Sequence, residues 1–150
     1  MRELQVSGIS KRYGSTIAVN DVSFSARPGR ILGLLGPNGA GKTSTIRMIT
    51  YITVPDQGTV TYGGETVGAW SQQQMGYLPE ERGLYKQLRV KEQLVYLGML
   101  KGMSKAESAE RSHYWLDRFE ATSWASKKTE ELSKGMQQKV QFIGTVLHDP

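Results

Sequence analysis

The stretch Gly36-Pro37-Asn38-Gly39-Ala40-Gly41-Lys42-Thr43 fits the spacing GxxxxGK[ST] of a phosphate-binding loop. An apolar run at residues 31–35 precedes it and predicts a short strand buried on both faces. Residues 43–49 follow with polar and apolar positions at helical spacing. Strand, glycine-rich loop and helix is the order found in proteins that bind phosphate this way. The stretch therefore predicts a nucleoside triphosphate site.

The residue types in the loop suit this chemistry. Gly36, Gly39 and Gly41 allow backbone conformations closed to residues with a Cβ, so that successive N–H groups can point at phosphate oxygens. The helix that follows adds its unpaired N–H groups and the positive end of its dipole. Lys42 is predicted to reach the β- and γ-phosphates, and the Thr43 hydroxyl to ligate Mg²⁺.

Composition places the chain among ordinary single domains. It has 150 residues, of which 38% are hydrophobic and 22% charged, and this is enough to bury a core. No run is as long as a membrane span, and the N-terminus lacks the basic-then-apolar pattern of a signal peptide. With no cysteine, disulfides and thiolate metal sites are excluded. We expect a cytoplasmic location.

The net charge of +5 raises the question of a nucleic-acid partner. The lysines and arginines are scattered, however, and the densest pair is Lys127-Lys128. No arginine-rich tract interleaved with aromatic residues is present. A solvated basic surface is favoured, and we predict no nucleic-acid partner.

Strand signals dominate the first half of the chain. Alternating patterns predict half-buried strands at 4–9 and 22–26, with a turn at 11–14 between them. A strand entering a hairpin is predicted at 59–62, and a short apolar strand at 75–78. A charged bend, Glu80-Glu81-Arg82-Gly83, follows.

Helical periodicity replaces alternation in the second half. The first helix is predicted around Val90, the second opens with a capping box from Ser104 to Glu107, and the third begins at Ser133. The predicted buried positions are Val90, Leu94 and Leu97 in the first helix, Ala109, Trp115, Leu116 and Phe119 in the second, and Met136, Val140, Ile143 and Leu147 in the third.

A second motif, Leu132-Ser133-Lys134-Gly135-Met136-Gln137-Gln138-Lys139, decides between families. Together with GPNGAGKTS it resembles the signature motif of ABC-type ATPases, usually LSGGQ before a polar helix. The resemblance covers the whole chain and implies an α/β P-loop NTPase core with an N-terminal antiparallel β layer and a helical insertion. It implies one partial ATPase domain over 1–150, with the β layer and loop core at 1–88 and the helical subdomain and signature helix at 89–150.

The resemblance also implies a role for each matching residue, with ATP and Mg²⁺ as ligands. Tyr13 would stack on adenine, although a tyrosine packed in a turn explains it as well. Ser133 would contact a γ-phosphate, although a helix N-cap explains it as well. Lys42 and Glu80 are the implied catalytic residues, and Thr43 and Glu80 the implied magnesium ligands. The implied nucleotide-binding residues are Tyr13, Gly36, Pro37, Asn38, Gly39, Ala40, Gly41, Lys42, Thr43, Ser44, Ser133 and Gly135.

Three positions depart from the family pattern. Pro79-Glu80 stands where a glutamine is usual, which places a carboxylate beside a triphosphate. In the signature, Lys134 replaces the first glycine and Met136 the usual glutamine. Gly135 is intact, so the assignment of the motif is kept.

Family resemblance implies the assembly as well. The signature would cap ATP bound to a second ATPase domain in a head-to-tail dimer, and a transmembrane permease subunit would hold the pair at the inner face of the membrane. The combination GYLPEERGLY with LSKGMQQK is similar to the sodium or drug exporter branch. ATP hydrolysis would then drive transport of a substrate across the membrane.

The sequence stops at His148-Asp149-Pro150, before the Walker B strand with its metal-binding aspartate and before the catalytic glutamate and switch histidine. These 150 residues are therefore predicted to bind ATP without hydrolysing it, and to expose an apolar edge where the next strand would pair. Two other readings stay open. One is a soluble ABC-type ATPase acting on nucleic acid or ribosomes, and the other a non-hydrolysing nucleotide-binding module.

Overall fold

The structure, a computed structural model, describes residues 2–80 and 83–150, which divide into two units, Met1–Gln72 and Gln73–Pro150. The elements of the first unit are β1 (Leu4–Tyr13), β2 (Thr16–Ala26), α1 (Lys42–Ile49), β3 (Gln57–Tyr62), β4 (Glu65–Thr66) and α2 (Ala69–Gln72). Those of the second unit are α3 (Val90–Leu100), α4 (Lys105–Arg118) and α5 (Lys134–Val146), with 3₁₀ turns at Thr122–Trp124 and Thr129–Glu131.

The strands of the first unit form an antiparallel sheet in the order β2-β1-β3-β4. The strands predicted at 4–9, 22–26 and 59–62 are confirmed. β1 and β2 run further than predicted because they pair up to the turn between Tyr13 and Thr16. Tyr13, predicted to lie in a turn, is therefore the last residue of β1.

Apolar residues from the sheet and from α1 form the buried interior of the first unit. α1 contacts β2, which brings the phosphate-loop helix against the sheet. The buried apolar residues are Val6, Ile9, Val19, Met48, Val60 and Val67.

One glycine fixes how β3 meets β1. β1 bulges between Ser7 and Ser10, and β3 starts opposite this bulge. Gly58 there has φ +79°, and a Cβ on it would overlap the carbonyl oxygens of Gly8 and Ser7. Only glycine combines that conformation with so close an approach.

Two predicted strands are wrong. Residues 31–35 form no strand, and the side chains of Ile31 and Leu35 are 102% and 92% exposed instead of buried. Residues 75–78 form no strand either. A strand needs a hydrogen-bonded neighbour, and within 2–80 and 83–150 none pairs with either run. The apolar side chains of 31–35 thus lie exposed.

The second unit packs its helices around one hydrophobic core. Val90 and Leu94 of α3, Leu116 of α4 and Ile143 of α5 are buried there, as predicted. Leu97 and Ala109, also predicted to be buried, are only half-buried and lie outside this core. Further members of the core are Ala121, Leu132, Val140 and Leu147, with Trp115, Phe119 and Met136 packed against them.

Both predicted helix starts in this unit are confirmed. The Ser104 amide donates to Glu107 Oε2 at 2.8 Å, and the Glu107 amide donates to Ser104 Oγ at 3.2 Å, which is the predicted capping box. The hydrogen bonds from Ser104 lower the pKa of Glu107. Ser133 is the N-cap of α5, so the helix itself begins one residue later.

The proposed division of the domain at residue 88 stays a prediction, whereas the first unit of the structure ends at Gln72. Among the helices that the structure describes, none has the length and apolar character needed to cross a membrane.

We predict that Gly58→Ala destabilises the protein more than Gly64→Ala. Both residues have positive φ, +79° and +85°, so each change loses about 1–2 kcal/mol from backbone strain. Only the Cβ at Gly58 meets backbone atoms, and this overlap adds about 1–3 kcal/mol. The free energy of unfolding from urea titrations measures the difference. Equal losses would contradict the close approach of β3 to β1.

Candidate functional site

The phosphate loop leads directly into the first turn of α1. Gly41 is the N-cap, so α1 starts at Lys42, one residue earlier than predicted. The first hydrogen bond of the helix runs from the Thr45 amide to the Gly41 carbonyl at 2.8 Å. The amides of Lys42, Thr43 and Ser44 precede it and have no partner within the helix. They form an N-terminal group of donors suited to an anion.

Gly41 holds this helix start close to the sheet. Its φ is +83°, and a Cβ on it would overlap the carbonyl oxygen of Ala18 and lie 3.0 Å from Val19 Cγ2. Gly39 also has positive φ, +82°, but its side-chain position faces open space. The two glycines therefore serve different needs: Gly41 permits contact with β2, and Gly39 leaves the loop surface free of side chain.

The Lys42 ammonium lies across the same loop. Its Nζ donates to the carbonyls of Gly36 and Pro37 at 2.7 Å each. A second loop bond, from the Ala40 amide to the Pro37 carbonyl at 3.2 Å, closes the turn. A fixed positive charge and a set of free amides thus come from one short segment. This arrangement is suited to binding a polyphosphate.

Thr43 and Asn38, the other polar side chains at this end of the loop, are exposed. Thr43 presents a hydroxyl, an oxygen donor of the kind that Mg²⁺ accepts. Across the described parts of the chain, no group of three or more His, Asp or Glu side chains comes together as a metal site. A magnesium ion bound through one hydroxyl would take most of its ligands from phosphate and water, as is usual for this ion.

Tyr13 lies in the same unit as the loop, at the end of β1. Its side chain is 47% exposed, so part of the ring is accessible. Lys11 Nζ is 5.8 Å from the centroid of that ring, within cation–π range. The predicted contact with adenine stays a prediction.

Glu80 belongs to the second unit and is exposed at a bend. The segment before it is held against α5: Gln141 Nε2 donates to the Pro79 carbonyl at 3.1 Å, and Thr145 Oγ1 donates to the Tyr77 carbonyl at 3.4 Å. The rest of the predicted charged bend, Glu81 and Arg82, lies outside the described residues. The catalytic and metal-binding roles of Glu80 stay predictions.

The signature motif is placed at the N-terminus of α5. Ser133 Oγ accepts a hydrogen bond from the Met136 amide at 3.3 Å, which confirms its N-cap role. Gly135 is exposed, and a Cβ on it would have no atom within 4 Å. Met136, in place of the usual glutamine, packs against the core. The contact of Ser133 and Gly135 with a phosphate stays a prediction.

Sequence reasoning missed the glutamine that braces this helix start. Gln137 Nε2 donates to the carbonyls of Thr129 and Leu132, at 3.0 Å each, and so ties α5 to the segment before it. Buried Thr129 in turn donates its hydroxyl to the Tyr85 carbonyl at 2.6 Å. The partners lie in other elements, so no local spacing signals them. The N-cap alone was visible in the sequence.

His148 lies in the second unit with both ring nitrogens buried. Burial and the nearby Lys101 charge lower the pKa of His148, against smaller raising effects of the Met75 backbone and of Asp149. Burial also lowers the pKa of Lys101, whose Nζ donates to the Met75 carbonyl at 2.9 Å. His113, by contrast, is exposed on α4.

These features define a nucleotide-binding α/β domain with a phosphate loop, and the comparison with known proteins specifies its family. The family model described as ABC transporter matches residues 19–150. The chain therefore belongs to the ABC transporter family of ATP-binding proteins, as its two motifs predicted.

Curated relatives agree with this assignment. The chain is 46% identical to the uncharacterized ABC transporter ATP-binding protein YhaQ of Bacillus subtilis (strain 168), covering 98% of this chain and 49% of that protein. It is 37% identical to the linearmycin resistance ATP-binding protein LnrL of the same organism, covering 98% of this chain and 48% of that protein. The chain thus spans about half the length of the curated relatives it matches.

A solved structure described as the ATP binding subunit of an ABC transporter has the same fold. It superposes with a TM-score of 0.86 at 33% sequence identity, covering 98% of this chain and 62% of the other. The predicted fold class, an α/β ABC-type domain with an antiparallel β layer and a helical part, is confirmed.

We predict that acid weakens the second unit through His148. Because its pKa is lower in the folded state than the ordinary 6.5, the unfolded chain binds the proton first as pH falls. The free energy of unfolding should therefore decrease below about pH 6.5, and less so in His148→Gln. His113→Gln, at an exposed position, is the control. The free energy of unfolding is measured by denaturation at several pH values between about 5 and 8. The same dependence of this free energy on pH in both variants would contradict the prediction.

Proposed function

We propose that this chain is the ATP-binding part of an ABC transporter subunit whose whole protein couples ATP binding and hydrolysis to movement of a substrate across a membrane. The observation that carries the proposal is the phosphate loop, where the Lys42 ammonium and the free amides of residues 42–44 come from one segment. Family membership supports ATP as the nucleotide.

In this proposal each part of the loop has a separate task. The amides of 42–44 donate to phosphate oxygens, and the α1 dipole favours their negative charge. Lys42 exchanges its bonds to the Gly36 and Pro37 carbonyls for bonds to the β- and γ-phosphates. Thr43 holds Mg²⁺, which offsets phosphate charge when bound. Tyr13 stacks on the adenine.

The second part of the proposal is that the start of α5 closes over ATP held by another ATPase domain. Gly135 supports it, because glycine at an exposed position of a helix costs roughly 0.5–1 kcal/mol relative to alanine. Neither packing nor a positive φ requires glycine there, since its side-chain position is open space. Close approach of a ligand is a physical reason to keep it.

The proposed membrane partner is a permease subunit, with this chain at the cytoplasmic face. The second unit carries a groove of about 270 Å³ that a permease segment would occupy. Its walls are mainly apolar, and Leu97 and Leu100 of α3 face it together with Tyr77 and Pro79. The name of one relative, the Nod factor export ATP-binding protein I of Rhizobium sp. (strain N33), which is 35% identical over 98% of this chain, supports an exporter. No nucleic-acid partner forms part of the proposal.

Binding at the loop is tested with Lys42→Ala. Loss of charge-assisted bonds to phosphate should weaken Mg–ATP binding about 10- to 100-fold in isothermal titration calorimetry. Lys105→Ala, which removes an exposed lysine from the start of α4, is the matched control and should bind as the parent does. Unchanged affinity in a folded Lys42→Ala variant would refute the loop as the ATP site.

Closure over a second ATP is tested with Gly135→Ala. The change should raise the free energy of unfolding by about 0.5–1 kcal/mol, because alanine favours the helix and meets no atom. ATP turnover of the intact protein should nevertheless fall at least about tenfold, since the added methyl obstructs the phosphate. Gln138→Ala, also exposed on α5, is the control. A more stable variant with parental turnover would count against the proposal.

A further inference from the structure

The carboxylate of Asp56 binds both residues that immediately precede Tyr13. Its Oδ1 accepts a hydrogen bond from Lys11 Nζ at 2.7 Å, and its Oδ2 accepts one from the Arg12 amide at 2.8 Å. The Asp56 amide in turn donates to the Ser10 carbonyl at 2.8 Å. These three bonds fix the end of β1 to the segment that begins β3.

Lys11 links this carboxylate to the aromatic ring. Its side chain is only 16% exposed, and its Nζ lies 5.8 Å from the Tyr13 ring centroid while bound to Asp56. A cation at this distance is attracted to the electron-rich ring face and restricts where the ring can turn. Asp56 is therefore connected to Tyr13 in two ways, through the backbone of Arg12 and through the Lys11 ammonium.

We propose that Asp56 is a positioning residue for base recognition, which through Lys11 and Arg12 orients the Tyr13 ring on which the adenine stacks. The proposal rests on the proposed function, because it takes Tyr13 as the adenine contact. Asp56 itself touches neither phosphate nor base in this account.

The contacts are more specific than those of an ordinary turn aspartate. A turn residue usually binds backbone groups within its own turn, whereas both oxygens of Asp56 bind residues 44 and 45 positions away. The hydrogen bonds from Lys11 and Arg12 lower the pKa of Asp56, so the carboxylate stays ionised at neutral pH.

A double-mutant cycle with two ligands tests the proposal. Asp56→Asn, Tyr13→Ala and the double variant are titrated in the intact protein with Mg–ATP and with Mg–tripolyphosphate, which has no base. Asp56→Asn should weaken ATP about three- to tenfold and leave tripolyphosphate unchanged. In the Tyr13→Ala background, Asp56→Asn should have no further effect on ATP. Lys11→Gln, which keeps the Arg12 bond, should give a smaller loss for ATP alone.

Three results would overturn the inference. If Asp56→Asn weakens the binding of ATP and of tripolyphosphate equally, Asp56 has a general structural role. If Asp56→Asn weakens ATP binding as strongly in the Tyr13→Ala background as in the parent, Asp56 does not act through Tyr13. If Tyr13→Ala binds ATP with the parental affinity, Tyr13 is not the contact of the adenine. Lys42→Ala in the same series shows separately whether the loop binds ATP. If Asp56→Asn does not fold, Lys11→Gln takes its place in the cycle and the same outcomes decide.

Discussion

The close approach of Gly41 to β2 is the constraint on which the site depends. Because no side chain stands between the loop and the Ala18 carbonyl, α1 starts directly beside the sheet. The buried residues Thr45 and Met48 then keep one side of this short helix in the interior of its unit. Its first-turn amides are left at the exposed end, where an anion can reach them. The chemistry therefore follows from a packing requirement at one residue.

The same physical device occurs at the start of α5, with a different support. There the N-cap Ser133 satisfies one amide, and Gln137 bonds the carbonyls of the preceding segment. Gly135 leaves the surface of the first turn clear. In both helices a glycine leaves backbone groups of the first turn accessible, and a neighbouring side chain holds the start of the helix in place. Backbone groups at a helix N-terminus can bind phosphate in this way, and the contact at the start of α5 stays a prediction.

Local patterns predicted the features that depend on near neighbours in sequence. The loop before α1, the capping box at Ser104 and the stripe around Ile143 follow from spacing alone, and each is found in the structure. Residues 31–35 have the composition of a buried strand, yet a strand also needs a partner, which no local pattern supplies. The contact of Asp56 with Lys11 spans 45 positions and has no sequence signal.

The most direct test of the central claim is an amide-resolved NMR titration of the chain with Mg–ATP. The account predicts that the largest chemical-shift changes fall on the amides of Gly39, Gly41, Lys42, Thr43 and Ser44, because these groups would donate to the phosphates. Smaller changes are expected at the end of β1, where Tyr13 would stack on the adenine. Saturable binding that leaves the loop amides unshifted, with changes confined to other parts of the chain, would contradict the claim that this loop is the nucleotide site.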